Sequence, residues 1–160
     1  MPRQRENTVE DGRQTVRNRA GQALAEMVLV TPILILLVFG IIEFGLAFRT
    51  YQIVTNSARE GARVAVLPST TDPDDIRDVV IDRLVSSGLP ADEPEPLTIE
   101  LRCNGEVGDV CESSGDEWQV EVGYCYRFFV LAPIVNPIAG GDCSAFGEVR
   151  LRTASAMRKE

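Results

Sequence analysis

From Met27 to Ile42 only Thr31 interrupts an otherwise apolar run. Carrying the run through Glu43 to Phe48 gives roughly 22 residues, or about 33 Å of helix, enough to cross a bilayer core. The helical period does not stop there: Tyr51, Val54, Ala58, Ala62 and Ala65 recur at three- and four-residue spacing, with Arg59, Glu60 and Arg63 on the other side. The spacing predicts one helix of about 40–45 residues ending near Leu67, before Pro68. Its outer half carries a stripe of small residues, Ala58, Gly61, Ala62 and Ala65, that admits close approach of another helix or a sheet. The occupant is either the chain's own head or a neighbouring chain.

The pattern then changes. Asp72 suits a helix N-cap, Pro73 the first helical position, and Asp74 and Asp75 the positive end of the helix dipole. Ile76, Val79, Val80 and Leu84 follow at helical spacing until Gly88 and Pro90 stop it. These acids lack the ligand spacing of a calcium loop, so no metal is expected. Three alternating segments come next, at 97–103, 118–130 and 147–157. Alternation predicts strands with one buried face. In the second, Trp118, Val120, Val122, Tyr124, Tyr126, Phe128 and Val130 share one side, as core residues and not as a ligand platform. Between the second and third strands "LAPIVNPIAGG" reads as an apolar loop that touches either the bilayer surface or a partner. The expected fold is α+β: a long N-terminal transmembrane helix continuing outward, then a small head with a short helix and an antiparallel sheet of about three to four strands.

Charge divides the chain. Residues 1–21 hold five arginines against three acids, whereas residues 49–160 hold eleven basic against nineteen acidic groups. The positive-inside tendency keeps the N-terminus in the cytoplasm and sends the acidic part outward, as a single-pass plasma (inner) membrane protein. No basic face stands out, which argues against nucleic acid as a partner. The expected organisation is a disordered, cytoplasmic leader at 1–21, a transmembrane helix at 22–48, an outward helical extension at 49–67 and an extracytoplasmic α+β head at 68–160.

Cys103, Cys111, Cys125 and Cys143 all follow the span, and an even number outside the cytoplasm favours disulfides. Three pairings are possible; Cys103 with Cys111 and Cys125 with Cys143 is preferred. The chain has no histidine and no Cys-x-x-Cys pair, so zinc and thioredoxin-like sites lack their usual ligands. Without a histidine base or a Gly-x-Ser-x-Gly motif, the sequence opposes an enzyme, and no catalytic residue or cofactor is expected. The apolar run also exceeds an ordinary signal-peptide core, which favours retention in the membrane.

Two carboxylates remain, Glu26 and Glu43. An ionised carboxylate toward the bilayer centre costs on the order of 3 kcal/mol on insertion scales, so each needs a partner or an escape. Glu26 can reach the headgroups from the cytoplasmic end. Alternatively, a cut after Gly21 would create an amine on Gln22 about one turn from Glu26, on the same chain or a staggered neighbour, and their attraction would fix a filament register. Glu43 lies 17 residues further on, about 100° around the helix, so the two form no acid pair. Its readings are a headgroup-level carboxylate at the outer interface, or an ion pair to Arg49 or a neighbouring chain.

Glycine, four residues, glutamate and an apolar helix, here "GQALAE", is the pattern of type IV prepilins. The longer stretch "AGQALAEMVLVTPILILLVFGIIEFGLAFRTYQIVTNSAREGARVAV" resembles the TadE-like pseudopilins of the tight adherence (Flp pilus) system, and "LRTASAMRKE" is similar to that family's C-terminal strand. The resemblance implies cleavage between Gly21 and Gln22 by a membrane prepilin peptidase, with Glu26 as the acidic residue after the cut. It further implies a minor pilin that works with other pilins or pseudopilins and the pilus assembly machinery. Major Flp pilins have tyrosine after this glutamate where Met27 stands, and are shorter; both departures favour the minor role. The competing reading is an uncleaved, membrane-anchored extracytoplasmic binding or sensory domain.

Overall fold

The computed structural model describes residues 7–67, 72–92, 96–108, 111, 113–139, 143 and 146–159, with side chains from residue 21 onward. Helix α1 (Asn7–Ala65) is followed by α2 (Pro73–Ser86), β1 (Leu97–Cys103), β2 (Glu106–Val107), β3 (Glu117–Arg127), α3 (Ala132–Ala139) and β4 (Glu148–Arg158). The chain divides into two units, residues 1–41 and 42–160.

The first unit is the N-terminal part of α1. Residues 7–20 are helical and not irregular as their polarity suggested. No proline falls within residues 7–31 to interrupt the helix. The Gly21–Ala65 portion is long and apolar enough to cross a membrane once, with mean hydropathy 2.6 and only 11% of its most apolar window buried. Leu24, Met27, Val28, Leu29 and Ile33 are all exposed, as expected of side chains whose solvent is lipid.

The second unit is a small α+β domain. Its sheet is antiparallel with order β2-β1-β3-β4. Leu97 pairs with Tyr124 and Cys103 with Trp118, while Glu117 pairs with Arg158 and Arg127 with Glu148. Alternation places Trp118, Val120, Val122 and Tyr124 on the buried face with Leu97, Ile99 and Leu101. Ile76, Val80 and Leu84 of α2 and Val54, Ala58, Ala62 and Ala65 of α1 complete that core. The small-residue stripe is therefore occupied by the chain's own head. Tyr51, grouped with the stripe by spacing, is exposed; Ala47 and Thr50 are buried instead.

The α2 cap forms as its sequence predicts, with Asp72 Oδ1 accepting from the Asp74 N–H at 3.0 Å. The second long strand ends at Arg127, short of residue 130, and Val130 is exposed. The segment expected to be an apolar loop contains α3. Pro133 sits in its first turn, where a missing N–H removes no helical bond.

Gly61 sits where α1, α2 and β3 converge. A Cβ there would lie 2.6 Å from Val80 Cγ2 and 3.4 Å from Val120 Cγ1, whereas one on Gly45 would meet nothing within 4 Å. Gly61→Ala and Gly45→Ala gain the same helix propensity, so their difference reads the packing. Gly61→Ala is expected to be less stable than Gly45→Ala by about 1–3 kcal/mol in denaturant unfolding of detergent-solubilised protein.

Burial holds the Tyr124 phenol above its ordinary range. The phenol's contribution is fully present below the unfolded value, about 10, and is lost as pH rises through the higher folded value. Tyr124→Phe should retain more of its neutral-pH stability at alkaline pH than the parent chain, measured by thermal unfolding across that range.

Candidate functional site

On α1 the buried positions Ala47, Thr50, Val54, Ser57 and Gly61 step by three and four residues, and one step backward along the same stripe lies Glu43. It is 7% exposed, although it follows the most apolar stretch of the chain. Glu43 Oε1 accepts the N–H groups of Phe129 at 2.7 Å and Val130 at 2.6 Å, and Oε2 accepts that of Leu131 at 2.8 Å. Three consecutive backbone donors thus converge on one side chain. Neither reading of Glu43 from sequence, a headgroup-level carboxylate or an ion pair to Arg49 or a neighbouring chain, anticipated this.

The donors stand at the entrance to α3. The Leu131 carbonyl accepts from Ile134 and Val135, both at 2.9 Å, so Leu131 opens that helix. A carboxylate at this end faces the positive pole of the helix as well as three otherwise orphaned N–H groups. Charge-assisted bonds of this type are stronger than neutral ones, and a buried carboxylate requires them.

Packing surrounds the polar contact. Phe128 meets Phe44 edge-on with ring centroids 5.9 Å apart and Tyr126 at 5.2 Å. Ala47, Phe128, Leu131 and Ala132 form a small apolar cluster distinct from the main core. Burial, and secondarily the charge of Glu43, raise the Tyr126 phenol above its ordinary range.

Other tethers close the same segment. Cys125 is bonded to Cys143, and the Phe128 N–H donates to the Gly147 carbonyl at 2.9 Å. Asn136 Oδ1 accepts from the Gly147 N–H at 3.2 Å. Gly147 adopts φ 78°, and a Cβ there would collide with Ala132, so glycine is required on both counts. At the opposite end of the sheet, Cys103 is bonded to Cys111. Asp116 accepts from Asn104 Nδ2 and the Ser113 N–H, each at 3.0 Å, fixing the turn there. The two cysteine pairs each have a carboxylate nearby, but their sulfurs are consumed in disulfides and are not metal ligands.

Gly21, Gln22 and Glu26 lie together on α1, all exposed, with Glu26 about one turn beyond Gln22. A Cβ at Gly21 would meet nothing within 4 Å, so the glycine is not demanded by packing. Residues 21–63 match the TadE-like protein family. No curated protein and no solved structure matches the chain.

Replacing Glu43 by glutamine leaves one acceptor oxygen and places an amide donor against backbone donors. Glu43→Gln should destabilise the 128–139 segment by roughly 2–3 kcal/mol. Amide exchange should show this as about 30- to 160-fold lower protection at Phe129–Leu131, with β1 and β3 unchanged.

Proposed function

Since the chain belongs to the TadE-like family over its N-terminal helical region, residues 21–63, we propose that it is a minor pilin-like component that assists assembly of a tight adherence (Flp, type IV) pilus. A general structural, membrane-associated role follows from the family itself. The finer reading rests on one observation: Gly21, Gln22 and Glu26 stand exposed at the start of an apolar helix whose other end carries a disulfide-closed head.

In this reading a prepilin peptidase cuts between Gly21 and Gln22 and removes the arginine-bearing leader, residues 1–21. The new Gln22 amine then lies about one helical turn from Glu26. In a weakly polarisable setting the two attract strongly, whether within one chain or between staggered neighbours, and the pairing sets the register of one subunit against the next. Residues 22–48 serve as the membrane anchor before assembly and 49–67 as the extension into the head. The basic leader stays cytoplasmic and the acidic head, residues 68–160, faces outward. The partners are the peptidase, other pilins or pseudopilins and the assembly machinery.

The decisive measurement is the intact mass and N-terminal residue of protein recovered from membranes, with and without Glu26→Ala. A chain beginning at Gln22 is expected. Normal cleavage of Glu26→Ala with failed co-assembly would support the amine-to-carboxylate register. A chain that still carries Arg17–Gly21 would overturn processing and leave a permanently anchored binding domain as the function.

A further inference from the structure

The segment fastened by Glu43 presents an apolar surface of its own. Phe129 is 88% exposed, Ile138 81% and Phe146 63%, and Val130 and Ile134 are also exposed. Residues 128–139 contain no charged side chain, in a chain of net charge −8. For a head in water this would be a costly exposure, and among the described residues of the head none covers it.

The clasp specifies the surroundings. Arg49 is the first charged residue after Glu43 on α1, six positions later, and so marks where the helix meets polar solvent. At 1.5 Å per residue, Glu43 lies up to about 9 Å nearer the apolar end. Because the N–H groups of Phe129, Val130 and Leu131 sit on the Glu43 carboxylate, they are held at that same level. Interfacial helices bury their apolar faces about 5–10 Å into the headgroup and acyl boundary, which is this depth. Around the clasp on α1, Ile42, Phe44, Leu46 and Phe48 are exposed and apolar too, and Phe44 meets Phe128 edge-on, so the apolar surface of the helix passes to this segment at that contact.

We propose that α3 with Phe129 and Phe146 is a second membrane-contacting element, a short interfacial helix that dips into the outer leaflet beside the span and is held there by Glu43. Its occupant is lipid, in the state before any assembly. The element would fix the height and tilt of the head above the bilayer, which a single helix leaves free to vary. It depends on the span lying in a bilayer and not on processing after Gly21.

The test uses the full chain in vesicles of phosphatidylethanolamine and phosphatidylglycerol at low protein-to-lipid ratio, with a nitroxide on one introduced cysteine: Phe129→Cys, Ile138→Cys, Val38→Cys or Val107→Cys. The four native cysteines are bonded and leave the introduced thiol for labelling. Val107 is exposed on β2, at the end of the sheet away from Phe128 by about 30 Å of strand. Collision with oxygen relative to a water-soluble nickel complex reports lipid against water. The expected ratio at 129 and 138 is several-fold above that at 107 and close to that at 38. A ratio at 129 and 138 equal to that at 107, with 38 still high, overturns the proposal and leaves the span intact. Low collision with both reagents at 129 and 138 overturns it in favour of a protein neighbour. A water-like ratio at 38 removes the span itself and the proposal with it.

Discussion

The turn from β3 into α3 depends on one polar interaction: the Glu43 carboxylate on three successive N–H groups. β3 and β4 stay paired as far as Arg127 and Glu148, and one further bond joins Phe128 to Gly147. At the next residue the backbone donors turn away from the ladder to the carboxylate. The strand ends there because its donors have a better acceptor, and that change of partner opens α3. Phe128 and Leu131 are carried onto Ala47 by the same turn. An apolar residue at position 43 could fill the space but would leave three donors without partners, each at a cost of about 1–3 kcal/mol.

The same stripe of α1 changes chemistry along its length without changing its spacing. At Glu43 it offers a carboxylate, at Ala47 and Thr50 small side chains, and from Val54 to Ala65 it meets β3 and α2. Gly61 marks the tightest approach. Polar anchoring at one end and close packing at the other define the stripe's two attachments within the second unit. Leu46, Phe48, Arg59 and Arg63, off the stripe, remain exposed.

What the sequence made legible was local. The Asp72 cap, the alternation of β1, β3 and β4, and the small-residue stripe each repeat on a period that one stretch of chain displays by itself. Helix α3 was not legible because it is only eight residues long and its supporting acceptor lies 88 residues from Leu131 in the chain. Glu43 could have been found by running the buried stripe back two turns from Thr50. Its apolar neighbours instead suggested a residue managed by headgroups. Strand β2 is two residues long and leaves no periodic trace. Of the N-terminal constellation, the sequence supplied the glycine-to-glutamate spacing and the structure adds only that its residues are exposed on helix.

Glu26 and Glu43 meet the same difficulty by different means. A carboxylate in an apolar span is costly unless its oxygens are occupied. Glu43 is satisfied by its own chain, so it has little left to offer a neighbour. Glu26 stands exposed on its helix. A cationic partner therefore has most to contribute at Glu26, and an amine created one turn away would meet that requirement without adding a basic side chain to the span. If the two carboxylates are divided in this way, one holds the head to its own helix and the other is free to hold one subunit to the next.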